Sequence, residues 1–478
     1  MHTPTLASES SPASPAFTEF RKRSLPPHII ESQKKEALAM VTEKDSEDEQ
    51  PQPAPLSFFE RYFYKLTPLP GAVAGDSGSD AEPIRRFSFL SRGFITLVAL
   101  VSLIAIAVLC AVLATTLIRH KKLDQELRRS PVHEAIFANF ADPVVVKHEE
   151  LFYAFATTNA AGKQTLLQYF VVPRRGILAQ SNDTAAIALG KSNVQMATSP
   201  NFKDWTLMNH THDPLPQLGE WCRRGLTENL NPKANVWAPA VIKRPSDGKF
   251  VLYYSAAIEN ATRPSHCVGA AISESSSPAG PYMPLNATIA CPVEEGGAID
   301  PSPFIDTDGS FFVTYKVDGN NVGHGGACNN MKAPQVSTPI KLLKMLADGV
   351  TPDGQDITIL DRIQGDGPLV EAPVIARSAE GIYFLFFSSG CTRDPSYDVK
   401  YAFARDVRGP YERAKKPLLR TGDFNLTAPG SIGLTDMEDG TFGMVFHARV
   451  QASYGRVRAM YTTTIRFNGT EVLLVKKD

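Results

Sequence analysis

Three carboxylates in this chain share a setting. Asp142 in "ADPVVV", Asp300 in "IDPSPF" and Glu371 in "EAPVIA" each stand at the mouth of an apolar run, one or two residues ahead of a proline. A single Asp-Pro is an ordinary turn former. Three acids in such positions gain a chemical meaning if the fold gathers them. Two carboxyl groups in different environments can divide the work of splitting a glycosidic bond. One stays protonated and donates to the leaving oxygen; the other stays ionised and activates water or attacks carbon. A third acid beside the donor raises its pKa by like-charge repulsion.

The elements that would gather these residues are strands. From about His133 the chain turns into short runs of Val, Ile, Phe and Tyr broken by Gly, Pro, Asn and Asp, with no long helical period. The opening pattern returns at Asp142, Trp237, Asp300, Glu371 and Ala428. Each copy has an apolar run, a polar turn and a second run. Asp-Gly pairs at Asp247, Asp308 and Asp439 read as two-residue hairpin turns, and a Gly-Pro-Tyr echo recurs at Gly280 and Gly409. Such copies predict an all-β fold, a five-bladed β-propeller, over a β-sandwich with long insertions. In a propeller the innermost strands line a central channel. Asp142, Asp300 and Glu371 are therefore expected at equivalent positions around one end of it, with the prolines removing an N–H at the strand entry.

Outside this domain the composition changes. Residues 1–86 carry "SESSPASPAF", "EKDSEDEQ" and "PQPAPL", and read as a disordered cytoplasmic tail holding one aromatic island, "LSFFERYFYKL". Gly93 to Ile118 has no charge, which predicts a single transmembrane helix with its flank over 87–119. Its distance from the N-terminus argues against a signal peptide. Residues 120–132 read as a juxtamembrane stem and 133–478 as the propeller. Basic residues flank both ends, slightly more after the span. Six sequons, at Asn182, Asn209, Asn260, Asn286, Asn425 and Asn468, all follow it and favour a lumenal or extracellular C-terminal domain, hence a type II topology. Five of the six cysteines also follow the span, which permits disulfides, leaves one odd thiol and does not define the pairing. The net charge of −1 gives no basic field for nucleic acid.

The three acids, "WAPAV" and "VFHA", with "YKVDGNNVGHGGACNN" and "FFSSGCTRDPSYDVKYAFA", make the chain from about Asn139 onward resemble glycoside hydrolase family 43, in its fungal branch. The resemblance implies an inverting five-bladed enzyme acting on arabinose- or xylose-containing glycans. It implies Asp142 as general base, Glu371 as general acid and Asp300 as the residue that orients Glu371 and raises its pKa. Trp237, His324 and Arg449 would contact sugar. His447 would be the axial histidine near a hydrated ion, commonly calcium, which is structural and not required for the chemistry. The fifth copy departs from the family in reading "APGSIG" where many members have Gly-His-Asn. The tail and span lie outside the resemblance. A catalytically silent, membrane-tethered glycan-binding propeller is the alternative, and loss of any of the three acids would have favoured it.

Overall fold

The computed structural model describes residues 92–158, 192–209, 211–222, 236–258, 265–450 and 457–476. The tail with its aromatic island, Asn182 and Asn260 lie outside the described residues.

The apolar span forms one helix, α1 (Arg92–Arg129), which also takes in most of the stretch read as a stem. Its segment Thr96–Arg119 has a mean hydropathy of 3.1 and none of it is buried, so it is no core helix. By length and composition it is able to cross a membrane.

The rest is a five-bladed propeller. Strand β1 (His133–Ile136) opens the domain. Blade 1 follows with β2 (Ala141–His148), β3 (Leu151–Thr157), β4 (Val194–Ser199) and β5 (Thr206–Leu207). Blade 2 holds β6 (Trp237–Lys243), β7 (Phe250–Ala257), β8 (His266–Ser273) and β9 (Tyr282–Ala290). Blade 3 holds β10 (Ala298–Ile305), β11 (Phe311–Val317), β12 (Ile340–Met345) and β13 (Ile357–Leu360). Blade 4 holds β14 (Val370–Arg377), β15 (Tyr383–Ser389), β16 (Asp398–Ala404) and β17 (Glu412–Arg413). Blade 5 holds β18 (Gly430–Asp436), β19 (Phe442–Arg449), β20 (Arg458–Asn468) and β21 (Glu471–Val475). All five repeat copies thus become the first two strands of a blade. The ring closes where β1 pairs antiparallel with β20, His133 opposite Thr462, so the start of the domain completes its last blade.

Blades adhere through five apolar layers, one between each neighbouring pair. Phe155, Met196, Leu252 and Tyr254 fill the layer between blades 1 and 2, and Phe384, Phe386, Met444 and Phe446 that between 4 and 5. Val145, Phe152, Val445 and Met460 seal blade 5 against blade 1. A blade is covered on both faces, so its second strand has no wet side. Every residue of β11 and β15 is buried. That explains why "FFVTYKV" and "YFLFFSS" read as continuous apolar runs, without the alternation of a half-exposed strand.

The Asp-Gly turns are longer than the sequence implied. Asp306 N–H bonds to Ser310 O and Met437 N–H to Thr441 O, leaving three residues in each loop with Gly309 or Gly440 left-handed at its end. The Asp308 loop is the type I turn plus left-handed residue of three-residue hairpins, where glycine carries no Cβ penalty; in the Asp439 loop Glu438 is left-handed as well (61°). At Asp247 the loop is longer still, with Arg244 N–H bonding to Lys249 O. The Gly-Pro-Tyr echo is structural: Tyr282 OH donates to Pro278 O and Tyr411 OH to Val407 O, each four residues back.

Four of the six cysteines pair, Cys267 with Cys291 inside blade 2 and Cys328 with Cys391 across the loops of blades 3 and 4. Cys222 is the odd thiol after the span; it is buried, with its Sγ 4.0 Å from Tyr254 OH.

Candidate active site

Every innermost strand carries the same irregularity. Its ladder to the second strand skips two residues, and the first of these has a positive φ: Asp142 (51°), Ala238 (42°), Asp300 (57°), Ala372 (53°) and Ser431 (52°). A left-handed non-glycine residue costs about 1 kcal/mol or more. A bulge re-aims the side chains around it. Four of the five skipped pairs end in proline, Pro143, Pro239, Pro301 and Pro373. Proline fits there because the ladder asks no N–H of that position. Residues of all five bulges, Asp142 and Asp300 among them, line an axial cavity of about 30 Å3.

This register corrects one expectation. Asp142 and Asp300 are equivalent, but Glu371 is not: it stands one residue earlier, at the position Trp237 holds in blade 2. The left-handed position of blade 4 is Ala372. Strict strand alternation would send neighbouring residues to opposite faces, and the bulge removes that constraint.

The N–H of each bulge residue is taken by a side chain from the preceding blade. Asp142 N–H donates to His447 Nδ1 (3.1 Å), Ala238 N–H to Thr157 Oγ1 (2.8 Å), Asp300 N–H to Ser255 Oγ (3.2 Å) and Ser431 N–H to Ser388 Oγ (2.8 Å). The acceptors occupy one position of the second strand: Thr157 opposite Ala141, Ser255 opposite Trp237, Ser388 opposite Glu371 and His447 opposite Gly430. Blade 3 has Lys316 there, opposite Ile299. Ammonium cannot accept, and Ala372 N–H goes to Asp300 Oδ2 instead (2.9 Å).

Two side chains donate to the Asp142 carboxylate, Arg458 Nη1 to Oδ1 at 2.8 Å and Thr157 Oγ1 to Oδ2 at 2.7 Å. Burial alone would raise its pKa; Arg458, with help from Thr157, overturns that and holds the carboxyl well below the usual range. Asp300 is shifted the other way. Burial, then the charge of Glu371, push it well above the usual range against the pull of Lys316. Glu371 is held at both oxygens, Lys316 Nζ donating to Oε2 (2.9 Å) and Tyr397 OH to Oε1 (2.8 Å). Lys316 also reaches Asp318 at 2.9 Å. One carboxylate is thus kept ionised while a second acid is driven to keep its proton beside a third, so the three acids do not share one protonation state.

Comparison with known proteins bears on this arrangement. The description "Glycosyl hydrolases family 43" matches residues 131–470. The chain belongs to that family. As a family 43 member it is a glycoside hydrolase. Among solved structures it is similar to a thermostable family-43 glycoside hydrolase, at 21% identity and a TM-score of 0.52 over 71% of this chain and 95% of that one. It is also similar to an endo-1,4-beta-xylanase from Bacteroides thetaiotaomicron VPI-5482, at 20% identity and TM-score 0.50 over 72% and 97% of the two chains. A third is a xylan beta-1,4-xylosidase from Bacillus halodurans C-125, at 16% identity and TM-score 0.50, with 71% of this chain matching 55% of that one. At these identities the likeness is one of fold. No curated protein matches the chain.

The remaining expected residues of the hydrolase are placed unevenly. Trp237 is half-buried and stacked on His266, ring centroids 3.8 Å apart. Arg449 donates from Nε to Thr392 O, and burial and then Arg458 bring its pKa down to about 10. His324 is exposed on the loop between β11 and β12, its Nδ1 2.7 Å from Pro334 O; among the described residues no hydrogen bond joins it to the acids. His447 is fully buried, and that burial above all holds its pKa near 4, so it is neutral. Because Nδ1 accepts from Asp142, the ring proton sits on Nε2, a buried donor with no hydrogen-bond partner among the described residues. Calcium takes about six to eight oxygen ligands. Among the described residues no group of three or more His, Cys, Asp or Glu could hold a metal. In this tautomer His447 can meet the water shell of an ion and not the cation itself.

Arg458, Tyr397, Lys316 and Thr157 carry no motif of their own. For Lys316 a signal did exist. Aligning the second strands by copy sets Thr157, Ser255, Lys316, Ser388 and His447 in one column, where lysine is the single non-acceptor.

Proposed function

We propose that the protein is an inverting glycoside hydrolase of arabinose- or xylose-containing glycans, with Asp142 as general base, Glu371 as general acid and Asp300 as the modulator of Glu371. The observation that carries this reading is the opposite setting of two equivalent aspartates around one axial cavity. Asp142 takes a proton from a water as that water attacks the anomeric carbon, while Glu371 protonates the departing oxygen, and the freed sugar emerges with its anomeric configuration reversed. Family membership supports the glycosidic bond as target. A pentose-containing substrate comes from the family's range, and xylan-acting enzymes stand among the proteins of similar fold.

The propeller is read as lumenal or extracellular, tethered by α1 as a type II protein. The four sequon asparagines among the described residues, Asn209, Asn286, Asn425 and Asn468, are all exposed and open to modification. Two disulfides also suit an oxidising compartment.

The test is a panel of aryl pentosides assayed with the full-length protein in detergent and its Glu371→Gln form. Cleavage is expected to fall by about two to four orders of magnitude in the variant, and proton NMR of the first-formed sugar is expected to show inversion. Equal rates in both forms remove Glu371 from the acid role.

A further inference from the structure

The acceptor ring is complete in four blades and broken in the third, and the break falls beside the candidate proton donor. Four acceptors, His447, Thr157, Ser255 and Ser388, each tie a bulge to the blade before it. At the fifth position stands Lys316, whose side chain is 1% exposed. A lysine so deep is rare unless paired. Its ammonium meets Asp318 and Glu371, both at 2.9 Å. Burial would discharge it, but Asp318 and then Glu371 hold it above the usual lysine value, so it is charged.

Two consequences follow from one substitution in the repeat. The Ala372 N–H, deprived of its acceptor on the second strand of blade 3, is met by Asp300 Oδ2, which pins that carboxyl beside the backbone of the next residue after Glu371. The ammonium is left free to hold Glu371 Oε2, opposite the Tyr397 hydroxyl on Oε1. Tyr397 comes from the loop after β15, which Cys391 ties to Cys328 of the loop after β11. The Glu371 carboxyl is thus gripped from blade 3 on one side and blade 4 on the other.

We propose that Lys316 is a positioning residue of the hydrolase: by taking the ring position that ought to accept an N–H, it moves that duty to Asp300 and fixes Glu371 with its own charge, so that the break in the repeat builds the acid pair. The inference rests on the proposed role of Glu371. A serine at this position, as in blades 2 and 4, would restore the ring, release Asp300 and leave Glu371 held by Tyr397 alone. The charged and titratable groups facing the pair are Lys316 and Asp318 from blade 3, Tyr397 from blade 4 and Asp142 from blade 1, with Arg449 and Arg458 of blade 5 beyond Asp142 and Tyr397. Lys316 is the cation bonded directly to Glu371, and it also pulls Asp300 down.

The experiment compares wild type, Lys316→Ser, Lys316→Gln and Lys316→Arg in kcat, KM, pH–rate profile and Tm, with Glu371→Gln as reference. Lys316→Ser is expected to lose about tenfold to hundredfold in kcat with little change in KM, as removal of a charged hydrogen bond that acts on the reacting group does. Its alkaline limb is expected to move up by about one pH unit or more, because a neighbouring cation is gone. Lys316→Arg recovers the wild-type limb and Lys316→Gln does not, although both can donate. A Lys316→Ser protein that melts like wild type and keeps its kcat and pH limb overturns the proposal. If that variant does not fold, the same pH limb in Lys316→Gln and wild type overturns it. Equal rates in Glu371→Gln and wild type would strike the acid assignment itself; an inactive Glu371→Gln beside an unchanged Lys316→Ser strikes this inference alone.

Discussion

Asp142 of blade 1 and Asp300 of blade 3 begin from the same backbone. Both are the first residue of a bulge, both are left-handed, both precede a proline and both face the axial cavity. Their chemistry diverges because of what adjoining blades bring. Blade 5 sends Arg458 to Asp142, and blade 1 adds Thr157, so the ionised form is favoured. Asp300 is buried beside Glu371 and has a single backbone N–H, from Ala372, to set against them, so the protonated form is favoured. A repeat therefore places a residue, and its flanking blades decide what the residue does.

Four changes test this contrast and the ring that supports it. The largest effect is expected from Asp142→Asn, which removes the aspartate of the pair that is held ionised: about two to four orders of magnitude in kcat/KM. Asp300→Asn resembles the protonated form already favoured there and keeps an acceptor for Ala372 N–H, so its loss is expected to be smaller by about tenfold. Equal losses would mean that the two aspartates are not divided as described.

Next comes Arg458→Met, read in a pH–rate profile. With Asp142 well below the usual carboxylate range, wild type is expected to show no acid limb while it remains folded. Without Arg458 a limb appears toward the ordinary carboxylate value of about 4. The sign for stability follows from the same shift. A depressed folded pKa contributes stability that is present above the unfolded value and lost as pH falls toward the folded one, so Arg458→Met flattens the acid-side loss. An acid limb already present in wild type breaks the comparison.

The smallest effect is structural. Ser388→Ala orphans the Ser431 N–H in the ring, and a stability loss of about 1–3 kcal/mol is expected by denaturant titration. No loss would mean that the ring of side-chain acceptors does not help to hold neighbouring blades.

The strands were legible because their signal is local. Apolar runs of strand length, separated by turn residues and repeated five times, are enough to identify blades, and the start of each copy is the start of an innermost strand. The offset of Glu371 was not legible as a local feature. Reading "ADP", "IDP" and "EAP" as one pattern aligns the acids, whereas the ladder aligns the prolines. The wrong turn length at Asp308 and Asp439 has a similar origin: an Asp-Gly pair marks a hairpin, but which residues pair across it depends on the register of the strands. Closure of the ring by β1 also left no local mark, since "HEAI" is a short run that becomes a strand only against β20.

By itself the amino-acid sequence determined the blade count, the apolar helix, the identity of the three acids and the family, because each rests on residue order within one short segment or its repetition. Tertiary structure alone decided which acid keeps its proton, which nitrogen of His447 accepts, and that Lys316, Tyr397 and Arg458 belong to the site. The physical reason is that charge and hydrogen bonding act over a few ångströms in space. Arg458 and Asp142, separated by 316 positions in the chain, are 2.8 Å apart once the ring has closed.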